Sequence, residues 1–307
     1  MAGELKGDVR GDLRGGVCGA GVFGGFHAGK YAGLPGARLA AVYDVDLSRA
    51  EALAQTHGGR GFNDVGAFLA AVDVVTVASP ADSHADLARA ALAAGKPTYV
   101  EKPLATTVQD GQALVDLAAK RALVLACGHQ ERVVFAAMGL MGVAERPLRI
   151  ESVRRGLPNA RNRDVSCVLD LMIHDLDLAL QLAAGEAIAA EAEGGFDQLA
   201  AEVTFASGLT AAFEASRVAK ARERTMRIVY PAGEVRVDFL APRFENATPH
   251  RLNPDFAATP DGRDPLGASV ARFLAAVRGE AARPAATGED GLRALDLALA
   301  VEHAAGI

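Results

Sequence analysis

The sequence predicts an α/β chain in two parts: a doubly wound domain with a parallel sheet, then an α+β domain with a predominantly antiparallel, open sheet. Three observations predict it. Short apolar runs alternate with helical periods through the first half, and a glycine-rich loop follows the first run. In the second half, strand-like runs succeed one another with turn signals between them. The expected domains are residues 12–127 and 128–307, with the final helix packing back on the first. At 307 residues and 50% hydrophobic, the chain has material for two cores of roughly 150 residues each.

Residues 1–11 alternate charge and glycine and read as a loose tail, neither a signal peptide nor an anchor. Strand-like runs follow at Leu13–Cys18, Leu39–Tyr43, Val72–Ala78, Thr98–Val100 and Leu123–Ala126. Between them lie the helical stretches Leu47–Thr56, His84–Ala94 and Val108–Lys120. In the last of these, Val108, Ala113, Leu114, Leu117 and Ala118 give a helical period with one face inward. Gly95-Lys96-Pro97 stops the helix before it. Strands alternating with helices imply a parallel sheet covered on both faces.

The second half opens with a helix over Val165–Ala184. Strand-like runs then follow at Ala201–Phe205, Leu209–Ser216, Thr225–Tyr230 and Glu234–Phe239, with turns at Ser207-Gly208 and Pro231-Ala232-Gly233. Glu234-Val-Arg-Val-Asp-Phe alternates strictly, as a half-solvated antiparallel strand does. The proline-rich stretch from Ala241 to Asp264 resists a regular assignment. Helices over about Pro265–Arg278 and Thr287–Ala305 close the chain, with Thr287 as a cap and Glu289-Asp290 in the first turn.

Composition excludes several classes. The formal charge is −6, from 32 basic against 38 acidic residues, and a nucleic-acid binder carries a basic surplus instead. Cys18, Cys127 and Cys167 are far apart and form no CxxC pair, which disfavours zinc and a disulfide framework. No run approaches the roughly 18 apolar residues of a membrane span. A cytoplasmic protein that binds neither metal, membrane nor nucleic acid is expected.

Gly19-Ala-Gly21-Val22-Phe23-Gly24 opens the first helix of the alternating half. Glycine there permits a tight turn, close backbone approach to a pyrophosphate and close helix–strand contact. Free N–H groups at the positive helix end would face the phosphates. Asp44 stands twenty residues after Gly24 at the end of the next strand-like run, where an acid binds the adenosine ribose hydroxyls. Its charge would repel a 2′-phosphate, so the expected cofactor is NAD, with NADP disfavoured; Arg49 nearby weighs the other way. His84 begins a helix beside Ser79-Pro80 and is placed at the cofactor cleft.

Glu101-Lys102-Pro103 after a strand, together with that glycine loop and Ser79-Pro80 at the end of the Val72–Ala78 run, resembles the Gfo/Idh/MocA family of sugar and polyol dehydrogenases. The resemblance extends from about Leu13 to the last helix, whose start at Thr287-Gly-Glu-Asp-Gly-Leu-Arg-Ala-Leu is also similar to the family. It implies an N-terminal Rossmann domain that binds the cofactor through the loop and Ser79-Pro80. It also implies a catalytic Lys102, a nicotinamide-side Glu101, and a cis bond before Pro103. Without it, Lys102 reads equally well as a solvated lysine at a strand end.

The resemblance further implies that Asp170 and His174, four residues apart, are catalytic, with His174 beside the reacting carbon. The residues themselves put Asp170, His174, Asp177 and Gln181 on one polar helix face opposite an apolar stripe. On spacing alone such a face meets water.

Gly128-His129-Gln-Glu-Arg132 and Pro158-Asn-Ala-Arg161-Asn-Arg163-Asp164-Val165 resemble the family branch that acts on nucleotide sugars such as UDP-N-acetylglucosamine at C3. This implies substrate binding by His129, Arg161, Arg163 and His174, with the two arginines on diphosphate oxygens. The alternative for the arginines is a polar loop paired with nearby acids. Val133-Val134-Phe135 stands where that branch often carries Phe-Asn-Pro, so the substrate-side wall is expected to differ. The basic residues Arg217, Lys220, Arg222, Arg224 and Arg227 read as a solvated hairpin, without the aromatics of a nucleic-acid site.

The expected function is NAD-dependent oxidation of a secondary sugar hydroxyl. His174 would be the base, Lys102 would act on the same oxygen, and Asp170 would orient His174. The rivals are a free polyol or inositol dehydrogenase and a non-catalytic NAD-sensing protein on the same fold. A homo-oligomer, dimer or tetramer, assembled through the open sheet is the assembly the resemblance implies.

Overall fold

The computed structural model describes residues 12–158 and 164–307. In the first half β1 (Leu13–Cys18), α1 (Val22–Gly33), β2 (Ala37–Tyr43), α2 (Leu47–His57), β3 (Arg60–Phe62), α3 (Val65–Ala70), β4 (Val74–Val77), α4 (His84–Ala93), β5 (Thr98–Val100), α5 (Val108–Lys120) and β6 (Leu125–Cys127) alternate. The strands form one sheet of order β3-β2-β1-β4-β5-β6, and every pair is parallel. The order reverses between β1 and β4, and a ligand crevice opens at the carboxyl ends of such a pair. Asp46, Asp64 and Thr107 cap α2, α3 and α5 through their side chains.

In the second half α6 (Glu131–Met138) leads to β7 (Arg149–Arg155), then to a π-helical turn at Val168–Met172 running into α7 (Ile173–Ala183). Next come β8 (Ala187–Gly195), β9 (Gln198–Phe205), β10 (Thr210–Ser216), β11 (Glu223–Tyr230), β12 (Gly233–Asp238) and β13 (Arg243–Asn246). These form a seven-stranded sheet of order β13-β12-β11-β7-β10-β9-β8. All its pairs are antiparallel except β7 with β10. Finally α8 (Pro260–Arg263), α9 (Pro265–Val277) and α10 (Gly288–Ala305) complete the chain.

Both closing helices pack back on the first sheet, where the sequence led us to expect only the last. Val270, Phe273 and Leu274 of α9 join Tyr31, Leu39 and Tyr99 in one buried cluster. The Phe273 and Tyr99 rings meet edge to face at 5.8 Å. α10 lies against α5 and β6 on one side and α7 and β8 on the other. Its start is tied to the first sheet, since the Cys127 amide donates to the Ala286 carbonyl at 3.1 Å.

One expectation is corrected. The basic run does not form a hairpin: β10 and β11 lie on opposite sides of β7. Its first member, Arg217, is buried and donates to the Val165 carbonyl and the Asp197 carboxylate. The acids of the 165–184 helix turn inward, against what spacing alone suggests. Asp175 and Asp177 are buried, each taken up by an arginine from another element. A buried carboxylate is tolerated only when so paired. Among the described residues no helix is long and apolar enough to cross a membrane.

Candidate active site

A cavity of about 650 Å³ starts at the glycine loop and ends at Lys102 and Asp170. Gly19 sits at φ +102°, and a Cβ there would fall 2.7 Å from the Ala78 carbonyl oxygen. At Gly24 a Cβ would fall 1.8 Å from the Gly19 carbonyl oxygen, because α1 crosses its own entry loop at van der Waals contact. Gly21, in open space, is the N-cap of α1 and supplies no side-chain cap. The start of α1 thus carries no side-chain cap and stands beside the cavity, and the residues present suit a dinucleotide phosphate. Val22 and Phe23 border the same space. Gly24→Ala is expected to cost about 1–3 kcal/mol through overpacking, read as a lower denaturation midpoint. An unchanged midpoint would mean that α1 is free to shift.

Asp44 follows β2 and is braced, one carboxylate oxygen accepting the Ala20 amide at 2.7 Å and the other the Asp46 amide at 3.0 Å. Arg49 reaches back toward the same loop, donating to the Ala20 carbonyl at 3.4 Å. After β4, the Ser79 hydroxyl lies 2.7 Å from that of Ser83, and Pro80 borders the cavity. His84 is buried between two carbonyls, Nδ1 2.7 Å from that of Pro103 and Nε2 2.9 Å from that of Ser79. It thus ties the end of β4 to the Lys102-Pro103 turn, whose peptide bond is cis. Burial pushes the His84 imidazole pKa down, against the pull of those carbonyls.

Glu101 turns inward. His27 Nε2 and the Gln130 amide both lie 2.8 Å from one of its oxygens. Burial pushes this carboxyl up, but the bond and charge of His27 outweigh it and hold it below the usual carboxylate range. Lys102 reaches across to the second half, its ammonium donating to the Asp170 carbonyl at 2.6 Å and lying 3.4 Å from the Asp170 carboxylate. The Arg217 guanidinium stands 3.9 Å from the other Asp170 oxygen.

His174, one helical turn beyond Asp170, is not among the residues bordering the cavity. Its Nδ1 lies 2.7 Å from Glu131, so the carboxylate in contact with this ring is Glu131 and not Asp170, which is engaged by Lys102. Arg154 joins Glu131 at 3.0 Å to Asp175 at 2.8 and 2.9 Å. The His129 ring is buried 6.4 Å from that of His174, and its Nδ1 is 3.7 Å from Asp177. Burial lowers the His129 imidazole pKa. Arg161 and Arg163 lie outside the described residues. No group of His, Cys, Asp and Glu that could hold a metal occurs among the described residues.

Sequence reasoning missed Glu131, Arg154, Asp175 and the His27–Glu101–Gln130 cluster. One signal existed for Arg154: it occupies the position of Ile150 and Ser152 in the alternation of β7, the inward face.

A model of an oxidoreductase family with an NAD-binding Rossmann fold matches residues 13–129. The UDP-N-acetylglucosamine 3-dehydrogenase of Acidithiobacillus ferrooxidans is 35% identical over 295 residues, covering 90% of this chain and 91% of that one. A solved structure of the same enzyme superposes with a TM-score of 0.88 at 34% identity, covering 96% of this chain and 98% of the other. The inositol 2-dehydrogenase of Paracoccus denitrificans is 32% identical over 155 residues, 47% of this chain and 46% of its own. At 20% identity, the Bordetella pertussis WlbA dehydrogenase in complex with NADH and UDP-GlcNAcA shares the fold, with a TM-score of 0.85 over 97% of both chains.

Proposed function

Because this chain belongs to the Gfo/Idh/MocA family of oxidoreductases, we propose that it oxidises a secondary hydroxyl of a nucleotide sugar, UDP-N-acetylglucosamine at C3, with NAD. The observation that carries the reading is the cavity, which joins a dinucleotide-type glycine loop to the Lys102–Asp170 pair across the two halves. The likeness to the A. ferrooxidans enzyme over nine-tenths of the chain supports the substrate class.

When bound, nicotinamide supplies the acceptor for the hydride that leaves the carbinol carbon. The chain supplies the rest. Lys102 donates a hydrogen bond to the reacting oxygen and stabilises the negative charge that develops there. His174 takes the hydroxyl proton, leaving a ketone. Asp170 holds the Lys102 ammonium in place. Arg161 and Arg163 engage the diphosphate, and His129 backs the sugar side. Asp44 favours NAD, since its carboxylate would face a 2′-phosphate. The enzyme works in the cytoplasm, where its free cysteines stay reduced. It assembles as a homo-oligomer through the outer face of the second sheet, where Arg149, Arg155 and Arg227 pair with glutamates of other strands.

Differential scanning with NAD, NADP, UDP, UDP-N-acetylglucosamine and myo-inositol tests this, since a ligand of the folded state adds about 2.7 kcal/mol at one hundred times its Kd. NAD and UDP should each raise Tm, and UDP-N-acetylglucosamine with NAD should then yield NADH. Stabilisation by NAD and myo-inositol without any effect of UDP would favour a polyol dehydrogenase instead. The inositol 2-dehydrogenase likeness over half of the chain is the observation behind that second reading.

A further inference from the structure

We propose that Glu131 is the positioning residue of His174: it holds the ring proton on Nδ1 and leaves Nε2 as the free base. The proposal rests on the reading of His174 as the proton acceptor. A neutral imidazole carries one N–H, and a lone pair on Nδ1 would confront the Glu131 carboxylate 2.7 Å away. The contact is not aligned as a hydrogen bond, so the carboxylate acts through its charge, which favours an N–H over a lone pair at Nδ1.

Glu131 is itself fixed. Its other oxygen takes the Arg154 guanidinium at 3.0 Å, and Arg154 spends two further donors on Asp175 at 2.8 and 2.9 Å. Asp175 follows His174 on α7, so the chain of contacts from His174 through Glu131 and Arg154 closes on the same helical turn. Three elements, α6, β7 and α7, thus fix the carboxylate beside the ring. A planar guanidinium suits this, because its donors are rigid relative to one another.

Other charges face the cluster from every side. Arg224 of β11 stands opposite Arg154 in the strand register, Lys102 and Glu101 approach from the end of β5, and His129 lies beside the ring. Among the described residues, only Glu131 makes an ion-pair contact with His174. Burial pushes the Glu131 carboxyl up, but the His174 ring when charged, and the Arg154 guanidinium at all times, outweigh it and keep it well below the usual carboxylate range. When the hydroxyl proton arrives on Nε2, the imidazolium therefore forms against a carboxylate that is already ionised. No second proton moves.

The test uses the full chain labelled with 15N-histidine, the His174 signals assigned by their loss in His174→Gln. The wild-type ring should be in the Nδ1–H form. In Glu131→Gln its titration midpoint should fall, because the charge that favours the imidazolium is gone. With the sugar substrate, Glu131→Gln should lower kcat about tenfold or more with little change in KM, and the acid limb of the pH–rate profile should move to lower pH. Asp170→Asn should leave the ring tautomer unchanged. An Nε2–H wild-type ring overturns the proposal, as does an unmoved midpoint in Glu131→Gln. A purely structural Glu131 would lower Tm and leave the limb where it was. Should Glu131→Gln fail to fold, the wild-type tautomer decides alone. Should no sugar be oxidised, the proposed function falls and the spectroscopic result still judges Glu131.

Discussion

Replacing His174 with alanine is expected to lower kcat by about 10²-fold or more, the usual contribution of a positioned general base. NAD should bind as before, since His174 does not border the cavity that begins at the glycine loop. Steady-state turnover paired with NAD titration separates the two effects. Normal turnover in the variant would remove His174 from the mechanism and return attention to Lys102. The cost to the fold should be small, because Glu131 keeps its contact with Arg154 when the ring is gone.

The second large effect is on stability. Arg132 is buried, with Nε 2.8 Å from Asp177 and one terminal nitrogen 2.8 Å from Asp290. Arg132→Met keeps much of the volume but strands the Asp177 carboxylate, while Asp290 keeps Arg283 and the Thr287 amide; breaking such a buried pair costs about 3–5 kcal/mol. Urea denaturation of variant and parent would show it as a shifted midpoint with an unchanged slope. A loss below about 1 kcal/mol would mean that water reaches the carboxylates, as it does in surface pairs. Acid should act in the same direction. Burial raises the Asp290 carboxyl, but the Arg132 charge and the Thr287 amide outweigh that and lower it. The stability gained from this pairing is thus present above the ordinary aspartate range and lost as pH falls through the lowered folded value.

Much of the first half was legible because its signals are local. Alternation and the glycine spacing gave the parallel sheet, and Asp44 came from its place after β2. Only the short Arg60–Phe62 strand and its following helix escaped, since three residues carry no periodicity. The second half was less legible for chemical reasons. β8 reads Ala-Ile-Ala-Ala-Glu-Ala-Glu-Gly-Gly, without the branched residues that mark strands. β7 points Arg154 inward, so its polar and apolar alternation is disguised. The Asp175–Arg154 and Asp177–Arg132 pairs are long-range, and nothing in the spacing of an aspartate tells whether it meets water or a distant guanidinium. That is why spacing alone could not place the polar side of α7, while it did place the apolar stripe.

The placement of α10 has a consequence for how the protein is made. Its residues Leu295 and Leu297 sit in the core of the second half, while Leu292 closes the apolar cluster of β5, β6 and α5. A growing chain therefore exposes the edge of its first sheet until α10 has left the ribosome, however early the glycine loop and β1 are synthesised. Folding from the N-terminus, the usual order during synthesis, therefore stops short here, and the apolar cluster of the first half is completed only once α10 has emerged.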